Sequence, residues 1–155
     1  MSPTISQRTG PLRTVLAHRA AVGRTADGEL RVFTVSQGTD APLSVLDASG
    51  TSVAEVPLPG AGGAWALDAR VDGSCVIGTY FDGSLYEWDG RQLSALGRPT
   101  EQTTYVWDVV ALPDGTTLAA TYPDASVAAH HRDTGTRVLR SFGSEEILYA
   151  RSICV

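Results

Sequence analysis

Apolar residues come in short runs along this chain, and each run meets a Gly- or Asp-centred break before a helix could be built. In Glu29 to Ser36, Leu30, Val32 and Thr34 alternate with Arg31, Phe33 and Val35, the pattern of a strand covered on both faces. A weaker strand at Ala20 to Thr25 precedes it across the Asp27-Gly28 turn, and Leu43 to Asp47 and Thr51 to Leu58 supply two more. After the linker Pro59-Gly60-Ala61-Gly62-Gly63, four strands are predicted at Ala64 to Val71, Ser74 to Tyr80, Ser84 to Asp89 and Gln92 to Leu96. Asp72-Gly73 and Asp82-Gly83 mark hairpins between them, Gly supplying the positive φ and Asp capping the turn. Tyr105 to Leu112, Thr116 to Tyr122, Ser126 to His131 and Thr136 to Phe142 repeat the plan around Pro113-Asp114-Gly115 and Asp133-Thr134-Gly135, and Leu148 to Val155 starts it again. No segment between these breakers holds an apolar 3.6-residue period, so helix competes poorly.

The landmarks keep one interval. Trp65 is followed by Trp107 and Tyr149, Asp72-Gly73 by Asp114-Gly115, Thr79-Tyr80 by Thr121-Tyr122 and Asp82 by Asp124, each 42 residues on. Such a period, with short strands and frequent turns, predicts an all-β chain of four-stranded antiparallel β-propeller blades. The expected blades are 20–59, 64–104 and 105–147, with a partial one at 148–155, and a flexible leader at 1–13. Thr14 to His18 is a further short strand, suited to an outer place on another blade. The first blade is looser in register: Asp27 to Asp72 is 45, whereas Asp40 to Asp82 and Asp47 to Asp89 are each 42, so about three residues are inserted around Ser36 to Thr39. The last hairpin of the third blade is two residues longer than its counterpart, and the 42-residue register puts Trp88 level with His130. Three blades and one inner strand do not close a ring, since propellers carry about four to eight blades. The next Asp-Gly turn falls due at position 156, so the sequence reads as a fragment, completed by downstream blades or by a second copy.

Composition narrows the function. The chain has 155 residues, 43% apolar and 19% charged, with net charge −5. That is globular composition, and it disfavours nucleic-acid and anionic-membrane partners, which need clustered cations. All 12 basic residues are Arg, consistent with a GC-rich bacterial genome. Cys75 and Cys154 have neither the number nor the spacing of a metal site or disulfide framework, and read as small buried hydrophobes. Met1 to Arg13 lacks the apolar core of a secretory signal and nothing resembles a membrane span, so the expected location is cytoplasmic.

From Asp108 to Gly135, the order Pro113-Asp114-Gly115, β-rich run, turn, second run, Asp133-Thr134-Gly135 resembles the blades of bacterial YVTN and quinoprotein-like (PQQ-binding-like) propellers. Trp88-Asp89 and Trp107-Asp108 occur, but at different points of the repeat and without the Gly-His partner of WD40 blades. The resemblance implies architecture: quinoprotein-like blades serve quinone-dependent dehydrogenases and non-enzymatic scaffolds alike, and no cofactor site carries over.

In a propeller the first strand of each blade lines the channel, and the loop entering it shares a face with the hairpin joining strands two and three. This frame gathers Trp65, Tyr80 and Asp82 with Trp107, Tyr122, Asp124 and Tyr149 as an aromatic and acidic rim. Aromatic faces beside carboxylates suit a saccharide, and the Asp pair suits a cation. The competing reading is repeated packing and turn work, the aromatics wedging blades and the aspartates fixing hairpins. Arg151 shares the face of Tyr149 and replaces Val109 and Leu67 of earlier blades. A guanidinium there suits a sugar acid or other carboxylate, or a salt bridge to Asp68 or Asp108. Those two aspartates are out of register with each other. His130 and His131 point to opposite faces of one strand and cannot jointly chelate a metal. The sequence therefore predicts a saccharide- or protein-binding propeller module. The alternative is a propeller lyase, hydrolase or quinone-dependent dehydrogenase acting on a carbohydrate, with Tyr149, Arg151 and His130 as its suspected catalytic residues.

Overall fold

A computed structural model of the chain describes residues 17–38 and 42–154. Twelve strands form three antiparallel four-stranded sheets, each in sequence order from inner to outer edge. The first holds β1 (Ala17–Arg24), β2 (Leu30–Ser36), β3 (Pro42–Asp47) and β4 (Ser52–Pro57). The second holds β5 (Ala64–Ala69), β6 (Cys75–Thr79), β7 (Leu85–Trp88) and β8 (Leu93–Gly97). The third holds β9 (Tyr105–Ala111), β10 (Thr117–Tyr122), β11 (Ser126–His131) and β12 (Gly135–Ser141). These are β-propeller blades, and the ring does not close within the chain. Among the described residues no helix is long and apolar enough to cross a membrane.

Turn chemistry sets the register. Gly73 and Gly115 adopt φ of 83° and 89°, and their amides donate to Arg70 O and Leu112 O at 3.3 and 3.1 Å. Beside them, Asp72 Oδ1 accepts from Ser74 N at 3.0 Å and Asp114 Oδ1 from Thr116 N at 2.9 Å. The 42-residue equivalence therefore extends to the bonds of the turn.

Between the first two sheets lies a core that includes Phe33, Val35, Leu43, Leu67, Ile77 and Trp88. A second core joins the next pair through Ala66, Val76, Leu85, Val106 and Val109. Burying each large aliphatic side chain contributes about 1.5–3 kcal/mol, so blade-to-blade packing dominates the stability of this array. Gly78 on β6 permits the second contact, because a Cβ there would overlap Val106 and Ala66.

Several sequence expectations change. His18 lies within β1 and so belongs to the first blade; Thr14 to Leu16 lie outside the described residues, as does Asp40. Leu148–Cys154 forms no strand. Each inner strand forms its sheet ladder with the second strand of its own blade, and the described residues offer this segment no such partner. It nevertheless takes the place of a fourth inner strand against the third blade, with Ala150 N donating to Thr121 O at 3.1 Å. Cys75 is buried as expected, and burial pushes its thiol pKa far above the ordinary value of 9.0. Cys154 is exposed, since it lies on that unpaired segment.

Candidate functional site

Each inner strand carries one extra residue against its partner. The register skips His18 between Ala17 and Arg19, Trp65 between Ala64 and Ala66, and Trp107 between Val106 and Asp108. A β-bulge re-aims the side chain of its extra residue, and here all three rings converge at one end of the inner strands. Trp65 lies 5.6 Å from His18 and 4.4 Å from Trp107, ring centre to ring centre, and Trp107 lies 5.9 Å from Tyr149. Trp65 Nε1 donates to His18 Nε2 at 2.9 Å, so that ring nitrogen is the unprotonated one.

A second tier joins this ladder from the ends of the second strands. Tyr80 packs against Trp65 at 4.6 Å and Tyr105 at 6.0 Å. Tyr122 meets Tyr105 at 5.3 Å and Tyr149 at 4.9 Å. Phe81 closes edge-on over Tyr80 and Tyr105. The result is one connected cluster of eight rings spanning all three blades. Tyr80 is buried, and burial, reinforced by Tyr105, raises its hydroxyl pKa. Trp65, Trp107 and Tyr122 are half-buried, while Phe81 is 65% and Tyr149 56% exposed.

Phe81 has φ of 69°, in the left-handed region that a bulky residue enters at a cost of about 1–2 kcal/mol. Its ring lies over Gly62 at the edge of the cluster. At the other edge, Trp107, Tyr149 and Arg151 line a cavity of about 320 Å³, and the Arg151 guanidinium carbon stands 5.7 Å from the Trp107 ring centre.

The two carboxylates expected beside these rings have different settings. Asp124 accepts from Thr121 Oγ1 at 2.7 Å and Thr100 Oγ1 at 2.9 Å, holding the β10–β11 hairpin. Asp82 Oδ1 is buried without a hydrogen-bond partner. Asp108 receives Arg19 at 3.0 Å, from an inner strand two blades away, as well as Ser152 Oγ at 3.2 Å and Ile153 N at 3.0 Å. Asp68 plays a related part, taking Ala111 N at 2.8 Å. Two aspartates out of register thus reach corresponding amides, Ala111 and Ile153, of the next inner segment.

His130 and His131 stand apart from the ladder. His130 Nδ1 bonds Thr136 Oγ1 at 2.8 Å, and burial lowers the pKa of its ring. His131 Nε2 bonds Asp114 O at 3.2 Å, and its Nδ1 accepts from Asp133 N at 3.2 Å. Neither shares the cavity of Tyr149 and Arg151, so the acid–base grouping of those residues with His130 does not form.

His18, Phe81 and Tyr105 belong to the cluster but not to the site expected from sequence. Phe81 and Tyr105 stand where neighbouring repeats have Pro123 and Gly63, and His18 precedes Trp65 by 47 residues. Departure from the repeat, the signal that singled out Arg151, would have marked all three.

No protein-family profile matches the chain, and no curated protein does. Solved structures do resemble it. Chaetomium thermophilum Sqt1, a WD40 β-propeller crystallised with the N-terminus of ribosomal protein L10, superimposes with a TM-score of 0.50 at 17% identity. The match covers 83% of this chain and 38% of Sqt1, so the chain spans well under half of that propeller. A Bacteroides caccae protein of unknown function aligns with a TM-score of 0.39 at 11% identity, over 86% of this chain and 64% of its own. The Sqt1 likeness supports the propeller fold, and the fold alone.

Proposed function

We propose that this chain is a binding module, part of a β-propeller of the YVTN or quinoprotein-like kind, whose aromatic end takes a saccharide. The observation that carries the reading is the eight-ring cluster, left open at Phe81 and Tyr149. Pyranose rings stack their C–H faces on aromatic surfaces, and half-buried rings locked by their neighbours lose little entropy when they do so. The strained Phe81 backbone fits such a role, because strain is retained where a side chain must be displayed. Sqt1, captured with a segment of its protein partner, lends this fold a binding precedent and leaves a peptide as the competing ligand. The lyase, hydrolase or dehydrogenase alternative gains no acid–base pair from the Trp107, Tyr149 and Arg151 cavity.

A glycan array followed by titration of any hit tests the reading. Trp107→Ala and Tyr122→Ala should each weaken a saccharide hit at least about tenfold, the scale of one lost aromatic stack. Hits that survive both substitutions place binding elsewhere. The ring itself is completed, on this proposal, by a second copy or by further blades. Val138, Leu139, Phe142, Ile147 and Leu148 are exposed on and beyond β12, and the light-scattering mass distinguishes the two arrangements.

A further inference from the structure

Arg151 has a setting unlike that of the other inner-segment charges. Asp108, the nearby carboxylate on β9, is already engaged by Arg19, Ser152 and Ile153 N. No carboxylate among the described residues pairs with Arg151, in a chain of net charge −5. Instead its guanidinium stands over the Trp107 ring and helps to wall the cavity of about 320 Å³ with Tyr149. A cavity of this size sits at the small end of ligand sites, about 300–1,000 Å³, and suits a single ring of a longer ligand. The Trp107 Nε1–H is buried with no acceptor among the described residues, and a buried donor left unmet is costly.

From this arrangement we infer that the cavity is a carboxylate subsite, and that the saccharide class the rim takes is acidic, a uronic-acid oligosaccharide. This rests on the saccharide reading of the aromatic cluster. The exposed ring of Tyr149 provides the face for the sugar ring, and the planar fork of Arg151, backed by Trp107, meets the two oxygens of its carboxylate. Stacking on Trp107 holds the fork in place before the ligand arrives and limits the rotamer entropy lost on binding. The other aromatic edge, at Phe81, carries no such cation and takes neutral parts of the chain.

The test is calorimetric titration of the full chain with tetragalacturonate and with its carboxyl-reduced, neutral counterpart. The acidic form should bind at least about tenfold tighter, the scale of one charge-assisted bond, with a preference that shrinks as salt rises. Arg151→Gln should erase that preference, bringing the two ligands to within about twofold of each other, and Arg151→Lys should keep only part of it. Arg151 is exposed, so both variants should retain the unfolding midpoint of the parent chain. Equal affinity for the two ligands, or a preference that survives Arg151→Gln, overturns the carboxylate subsite and leaves the aromatic rim standing. Binding of neither ligand, with no other saccharide found, overturns the rim reading and this inference together.

Discussion

Phe81 shows how much a single backbone angle can carry. Its φ of 69° is of the kind adopted by Gly83 at 64°, two residues on, but Phe81 adopts it with a large ring in solvent. Phe81→Gly and Phe81→Ala both remove that ring, and only the second keeps a Cβ in the left-handed region. The glycine variant should therefore be the more stable by about 1 kcal/mol, read from the urea midpoints of the pair. Equal midpoints would mean that the backbone relaxes once the ring is gone. Trp65 and Trp107 owe their placement to a comparable local event, the extra residue in a bulged strand. Alternation of apolar and polar positions cannot reveal it, because a bulge changes the pairing and not the composition. Sequence spacing thus identified the two indoles as equivalent without indicating why both face the same way.

At the level of strands, one recurring link between blades is a carboxylate reaching the next inner segment. Asp68→Ala removes the acceptor of Ala111 N. It should lower stability by about 1 kcal/mol and speed hydrogen exchange at the Ala111 amide more than at Val109. Strand positions were largely legible because Asp-Gly turns and 42-residue spacing are local signals, and β11 matches its expected bounds of Ser126 to His131. The failures are non-local. Leu148–Cys154 has the composition of an inner strand, but a strand is defined by its partner. Arg19 meets Asp108 across two blades, an encounter between residues 89 positions apart that no local pattern announces. His18 escaped notice for the same reason: its link to Trp65 depends on the looser register of the first blade. Of the candidate site, the repeating aromatics were readable as a group, whereas the two aspartates grouped with them have different settings: Asp124 serves its hairpin and Asp82 is half-buried with one oxygen unpartnered.

For the molecule as a whole, acid should be the most damaging condition. Four hairpin carboxylates are held below their ordinary pKa of 3.8. Ser49 and Thr51 act on Asp47; Gln92 and Arg91 amides act on Asp89; Thr116 acts on Asp114. At Asp72 burial opposes the shift, and bonds from Ser74 outweigh it. A carboxylate with a lowered folded pKa stabilises the fold fully above its unfolded value and loses that contribution as pH falls through the folded one. His130 adds in the same direction from higher pH, because partial burial of its ring favours the neutral form, so stability also drops as pH falls below its ordinary value of 6.5. The thermal midpoint should hold near neutrality, decline gently below about pH 6.5 and fall steeply below about pH 4. The steep part should be shallower in a double variant Asp72→Asn, Asp114→Asn, and an unchanged slope would assign acid sensitivity to other groups.

The pair of indoles from adjacent blades has an optical consequence. Trp65 and Trp107 lie 4.4 Å apart with their planes 26° from parallel, close enough for their electronic transitions to mix, as in a dye dimer. The two chromophores then absorb jointly and give paired circular-dichroism bands of opposite sign. Since each ring belongs to a different sheet, that couplet reports the docking of one blade on the next. Sliding apart of the blades would extinguish it while every strand stayed hydrogen-bonded, so the chain carries its own gauge of the step between folded sheets and an assembled array.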